Sequence, residues 1–501
     1  MAALTEASMI VSMIEERDVR QLNDLGISEK QFEKQLENFE TGIKPLPLIK
    51  ASVVGDGILS YTKDEIDQLR TLYRRFKDSL DIVKFVPASG AATRMFKKLF
   101  QGIEELKNNE PLNSDANDLL NNLTDYPFYE LLESHFKKKG KTIGELINDN
   151  SQLEILEAII YEDGLGYGNL PKALIEFHKE NDSSITSLEE QFVELRDYAK
   201  SDGEGRLHIT ASLEHLDKIK AKCEALKEKY TSEITIKVEY SVQKQSTNTV
   251  AVNSDNTPVR LENGSLMFRP GGHGALLDNL NDIRAQLIFI KNIDNVSKQS
   301  LQASNSVYKE LLAGRLLEMR ENIHNLLNGL IHESGRERAS KIIYERWGLK
   351  VQTEKEIKEV LDRPIRVCGM VKNTGAPGGG PFWVEEGDGS RSMQIVESSQ
   401  IDMNDETQKT IFENSTHFNP VDVVCWVEDH SGVKFDLSKY RDESTGFISE
   451  KSNQGKILKA QELPGLWNGA MAHWITEFVE VPLHTFNPVK TVNDLLTEGH
   501  K

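Results

Sequence analysis

The run AQLIFIKNID, residues 285–294, is apolar on both faces and breaks off at an acid. A strand that hides both faces belongs in the middle of a helix-covered sheet, so a mostly parallel α/β architecture is the expectation. The flanking text agrees. DIVKFVPA (81–88) is a short apolar run, followed by SGAAT and then by Met95, Phe96, Leu99, Phe100, Ile103 and Leu106 on one helical face. RLHIT (206–210), an amphipathic stretch from Ser212 to Tyr230 and ITIKVEYSV (234–242) repeat the alternation. The spacing predicts a long helix over 301–332, then strands in RVCGMV, PFWVEE, RSMQIVES and VDVVCWVE. Asn263-Gly264 marks a hairpin turn. Residues 1–80 read as helices and about 105–200 as an inserted helical lobe. Residues 430–460 read as loop-rich.

At 501 residues and 38% hydrophobic content the chain has enough for two or three packed cores. Acids outnumber bases 79 to 60, for a formal charge of -19, which repels a phosphate polyanion and excludes nucleic acid as the expected partner. Cys223, Cys368 and Cys425 lack metal-ligand spacing and suit buried thiols in a reducing cytosol. The opening residues carry neither a basic targeting region nor an apolar stretch of membrane-spanning length, so a cytoplasmic protein without a membrane anchor is expected.

Two stretches carry chemistry. Between strand and helix, SGAATR directs free backbone N–H groups and a helix dipole at one point, where an anion fits. From Ile82 to Ile103 there are four cations (Lys84, Arg94, Lys97, Lys98) and no acid. A solvated helix face after a tight turn accounts for the same pattern. The second is Asp294, at the carboxyl end of the buried strand, where ligands of open α/β sheets bind and a carboxylate can reach a phosphate-bridging magnesium ion. An N-cap for the next helix is the plainer reading. The loop PGGHG supplies Gly271, Gly272 and Gly274 for close backbone approach to a planar ligand, with His273 as a polar group on that wall.

PGGHGALLDNL followed by LIFIKNIDN resembles the uridylyltransferase family of UDP-sugar pyrophosphorylases, with its PxGHGD-like loop and NxDN-like metal site. Other pieces match in chain order. SGAATRM resembles the GGxGTRM nucleotide loop, Gln245-Ser246 the Gln-Ser pair after a strand, MQIVESSQI (393–401) the sugar-contacting VEYSEI, and FNPVKTVNDLL (486–496) the FLPVKTxxDLL segment. The matches cover about 81–100, 206–296 and 393–496. The whole chain also resembles a bacterial domain-of-unknown-function family. Ser89 and Ala92 stand where the pyrophosphorylases have glycines, Ala275 stands where they have an acid, and no clear equivalent of their loop-following Pro-Lys is seen.

The resemblance implies a GT-A/Rossmann-like nucleotidyltransferase core over 81–430, with the helical insertion inside it and a C-terminal segment, 431–501, completing the site. It implies a magnesium-dependent reaction of a nucleoside triphosphate with a sugar 1-phosphate. Arg94, Lys490 and Asp294 are then catalytic, with Asp294 on the metal. Ser89, Gly90, Thr93, Gln245, Gly272, His273 and Gly274 hold the nucleotide, and Glu397 the sugar. A non-catalytic nucleotide-sugar binding protein on the same fold is the alternative. A glycosyltransferase is disfavoured by the single acid in NIDN.

Overall fold

Apolar runs separated by amphipathic helices assemble, in a computed structural model, around one mixed sheet of 11 strands among the described residues. The structure describes residues 14–501 except 91, 181–182, 376–377, 419–421 and 454–455. Seven strands form its body: β1 (Ile82–Pro87), β2 (Glu204–Thr210), β3 (Thr235–Ser241), β4 (Leu287–Lys291), β5 (Ile365–Lys372), β6 (Asp422–Trp426) and β7 (Ile475–Glu480). Their spatial order is β7-β5-β6-β4-β1-β2-β3. All neighbours are parallel except β6, which runs antiparallel between β5 and β4. Every residue of β4 and β6 is buried, as strands covered on both faces require.

Three helices bear on function: α1 (Lys97–Lys107), α2 (Ser187–Asp197) and α3 (Gln299–Gly329). The main core spans the sheet and its helices, whereas a second core draws on residues 92–177 together with Val296, Val489, Val492 and Leu495. The two cores therefore flank Asp294, with Ile293 in the first and Val296 in the second, and the second holds Val489 and Val492 on either side of Lys490. α2, although it lies in the stretch read as a helical lobe, packs Leu188, Phe192 and Leu195 into the main core.

Three regions differ from the sequence expectation. The stretch read as a helical lobe also pairs Glu176–Glu180 with Ser183–Thr186 in a two-stranded antiparallel sheet. The N-terminal region contributes helices, but also short strands at Leu48–Ala51, Val53–Val54 and Gly57–Leu59, two of which extend the main sheet. Their brevity hides them from periodicity. The stretch expected to be loop-rich holds a hairpin, Phe447–Asn453 with Lys456–Glu462, whose mostly polar residues give no apolar run to announce it. The Asn263-Gly264 turn forms as expected, with Gly264 at φ +81°. All three cysteines are buried and free. No helix among the described residues is long and apolar enough to cross a membrane.

Candidate active site

Because β1, β3, β4, β5 and β7 point the same way, the loops after them meet at one edge of the sheet. The loop after β1 is pinned at both ends. Ala88 N–H donates to Thr210 O (3.0 Å), Ala92 N–H donates to Leu170 O (3.0 Å), and Phe96 is buried beside Tyr167. Ser89 and Gly90 arch outward between these pins, and their N–H groups have no partner among the described residues. A methyl group added at Gly90 would meet nothing within 4 Å, and no left-handed backbone demands glycine there. Chain packing thus leaves open space beside this position.

Thr93 and Arg94 come next on an exposed 3-10 turn, and Arg94 makes no hydrogen bond or ion pair among the described residues. α1 begins without a side-chain cap and without an acid in its first turn; Lys97 and Lys98 stand there instead. Cations at a helix N-terminus oppose the dipole, so this end is electrostatically suited to an anion.

Asp294 lies beside that loop. Ile293 N–H donates to Pro87 O (3.3 Å), joining the end of β4 to the end of β1. The carboxylate is held by a residue that the sequence pattern does not single out: Lys172 Nζ donates to Asp294 Oδ2 (2.7 Å) and to Val489 O (2.6 Å). The two side chains are 16% and 21% exposed, so the pair is shielded yet reachable. Val489 N–H in turn donates to Asp294 O (3.2 Å), which sets Lys490 next in the chain. Burial lowers the Lys490 ammonium, Asp494 and Asp294 raise it, and Lys172 lowers it, as expected for cations crowded round one acid. Asp294 is no helix cap, since α3 takes Lys298 as its N-cap.

Lys172 stands after Pro171, the Pro-Lys order expected directly after the loop. Here the helices of the second core intervene. Backbone contact between Ala92 and Leu170 brings the two segments back together.

A second group gathers after β3. Gln245 is exposed on the turn Gln245–Thr247, and the PGGHG loop packs against it: an added methyl at Gly271 would lie 2.4 Å from Thr247 O. Gly272 has φ +76°, and a methyl at Gly274 would sit 2.0 Å from Pro464 O. These glycines are therefore required by the chain's contacts with itself. His273 stacks on Trp467 (4.5 Å between ring centroids), and its Nδ1 accepts the Leu466 N–H (3.1 Å). Burial lowers its pKa, which Glu397 and Glu462 oppose. A neutral ring accepting at Nδ1 carries its proton on Nε2. Glu397, half-buried after Arg391–Val396, is the nearby acid beside Gly379.

For a magnesium ion the donor set fits in one respect. Among the described residues no group of three or more metal-ligating side chains gathers. Magnesium, however, is commonly held by one or two carboxylates with water and substrate phosphates. Asp294 Oδ1 accepts no hydrogen bond among the described residues and is the oxygen such an ion would use.

Solved structures similar to this chain include the open and closed forms of UDP-glucose pyrophosphorylase from Leishmania major (14% identity, 96% of this chain and 77% of that chain, TM-score 0.45). Another is uridine diphosphate N-acetylglucosamine pyrophosphorylase from Trypanosoma brucei in complex with inhibitor (12%, 95% and 75%, TM-score 0.47). A third is UDP-glucose phosphorylase from Trypanosoma brucei (15%, 97% and 80%, TM-score 0.45). No curated protein sequence matches. The family described as a domain of unknown function, DUF4301, matches residues 15–501, and the chain belongs to that family.

Proposed function

We propose that the chain is a nucleotidyltransferase that joins a nucleoside triphosphate to a sugar 1-phosphate and releases pyrophosphate, in the manner of a uridylyltransferase. The observation that carries this reading is the meeting of Lys172, Asp294 and Lys490 beside the open backbone at Ser89 and Gly90. Those groups suit two phosphorylated substrates at one point.

The chemistry asks for little else. A sugar phosphate, with a second pKa of about 6, is already an anion near neutral pH and needs no general base. Its oxygen bonds to the α-phosphorus as the α–β bridging bond breaks and pyrophosphate departs. What the protein must supply is alignment of two anions and screening of developing charge. In this reading Arg94 and the N–H groups of Ser89 and Gly90 take the β- and γ-phosphates, with Thr93 beside them. Lys172 and Lys490 bring the sugar phosphate against the α-phosphate. A magnesium ion bound through Asp294 would screen the phosphate charge. Gln245 and Gly272 to Gly274 border the nucleoside, His273 offers its Nε2–H, and Glu397 accepts sugar hydroxyls.

The test is a panel of purified protein, Mg²⁺, each nucleoside triphosphate and several sugar 1-phosphates, with pyrophosphate release measured. Lys172→Ala and Asp294→Ala should each lower kcat/KM by about 10²-fold or more, the scale seen when a charge-stabilising group is lost. The second reading, a nucleotide-sugar binding protein, is favoured by Ser89 and Ala92 in the loop. It predicts nucleotide binding without release. Absence of both binding and release would remove both readings.

A further inference from the structure

β3 (Thr235–Ser241) closes one side of the main sheet. It pairs with β2 over all its 7 residues, and no strand among the described residues lies beyond it. Alternate residues of a strand direct their backbone polar groups to opposite sides. Thr235 N–H donates to Gly203 O (3.1 Å) and Ser241 O accepts the Ala211 N–H (2.9 Å), so the odd-numbered residues face β2. Ile236, Val238 and Tyr240 therefore turn their N–H and C=O groups outward, where they meet no partner among the described residues. An open edge of this kind is a template for another strand.

The side chains select which strand fits. Thr235, Lys237 and Glu239 are exposed on one face, while Ile236, Val238 and Tyr240 pack half-buried against the main core on the other. Charges on an edge often keep other chains away, as do prolines and bulges. Here there is neither proline nor bulge, and the two charges are of opposite sign, one on each side of Val238. Turned about a two-fold axis through Val238, the strand complements itself. Lys237 then faces Glu239, Ile236 faces Tyr240 and Thr235 faces Ser241, each a favourable cross-strand pair. The same register makes the outward-facing residues the hydrogen-bonded pairs, with Val238 opposite its own copy, and puts Lys237 and Glu239 in the pairs whose side chains approach closest. Lys237 Nζ already reaches Glu204 (2.7 Å), and Glu239 lies near His208 (3.5 Å) and Arg206 (3.6 Å). At 63% and 54% exposure, however, both side chains stay open to a further partner.

We propose that two copies of this chain dimerise through β3, the strands antiparallel across a two-fold axis at Val238, so that the sheet runs on from one copy into the other. Such a contact is closed, and leaves β3 no room for a third copy. The surface contains none of the groups assigned to phosphate and does not rest on nucleotidyl transfer.

Sedimentation equilibrium of the full chain over a dilution series tests this, and should give twice the chain's mass at high concentration. Lys237→Glu and Glu239→Lys each set like charges face to face and should weaken dimerisation about tenfold or more. An equimolar mixture of these two variants should regain the dimer, because every glutamate then faces a lysine. Val238→Pro removes the central outward N–H, a change that an edge strand tolerates, and should leave monomer. Should that variant fail to fold by circular dichroism, the charge variants still decide. A species of the chain's own mass at every concentration, a dimer unaffected by the charge substitutions, or no recovery on mixing would overturn the proposal.

Discussion

An added methyl group at Gly90 would project into open space, whereas one at Gly274 would lie 2.0 Å from a backbone oxygen. The two substitutions should therefore act in opposite ways. Gly90→Ala should change stability by no more than about 0.5 kcal/mol, as for an unconstrained surface site, yet weaken binding of a magnesium–nucleoside triphosphate. Gly274→Ala should cost about 1–3 kcal/mol or more through overpacking. Urea denaturation and calorimetric titration of the two variants check both. The same contrast marks the limit of residue patterns. PGGHG and SGAATR both look like ligand loops, but only the packed structure tells a glycine needed by Pro464 from one needed by nothing in the chain. His273 makes the point again. Its partners, Leu466 and Trp467, lie far along the sequence, and no local pattern announces them.

α2 is an element whose sequence, SLEEQFVELRD, reads as an ordinary polar helix but whose residues from Ser187 to Leu195 are all buried. Its acids are paired inside. Glu194 receives Lys84 (2.7 Å), Lys291 (2.5 Å) and the Tyr198 hydroxyl (2.7 Å), while Lys309 pairs with Asp422 nearby. Burial pushes the Glu194 carboxyl up, but Lys291, Lys84 and Lys309 outweigh it and hold it well below its usual range. Burial lowers Lys84 to about 8 against the pull of Glu194. Glu194→Gln leaves two buried ammonium groups uncompensated and should cost about 3–5 kcal/mol, read from urea midpoints.

α2 also ties down the segment bearing Lys490. Glu190 meets His178 Nδ1 (2.5 Å), His178 Nε2 meets His500 Nδ1 (2.7 Å), and His500 Nε2 donates to Asn487 O (3.0 Å). Burial raises Glu190 to about 8, with Glu194 adding to it, and burial lowers both histidines to about 3. A neutral relay satisfies every group: Glu190 donates its proton to His178, which donates to His500. The linkage signs oppose each other. A raised carboxyl contributes stability present below about pH 4.5 and lost as pH rises to about 8; depressed histidines contribute stability present above about pH 6.5 and lost as pH falls toward 3. Glu190→Gln mimics the protonated acid, with an amide that can donate to His178. It should abolish the loss between pH 5 and 8, so that the variant gains on the wild type at about pH 8 in paired urea titrations. An unchanged difference between the two pH values would show that Glu190 is ionised in the fold.

At the scale of the molecule, a chain of formal charge -19 gathers Arg94, Lys172 and Lys490 at one edge of its sheet. Attraction of a triphosphate there works against the net field, so added salt screens both terms and the local one dominates at short range. Triphosphate affinity should therefore fall with rising KCl, measured as Kd by calorimetry at constant Mg²⁺. The parallel topology also sorts the groups at the two ends of the strands. Loops after the strands collect Arg94, Asp294 and Lys490, and the opposite edge, at the amino ends of β5 and β7, holds a cavity with Arg363 in its wall.

The order and kind of the principal elements were legible in the sequence, because buried runs such as LIFIK and DVVCW and helical faces such as Met95 to Leu106 encode their burial in local period. The outward loop at Gly90 and the acid at 294 were legible for the same local reason. Tertiary structure alone decided that Lys172 meets Asp294, that His273 props Leu466 and Trp467, and that five buried charges centre on α2 and β4. Ion pairs and close backbone approaches depend on which distant segments share space, and periodicity carries no record of that.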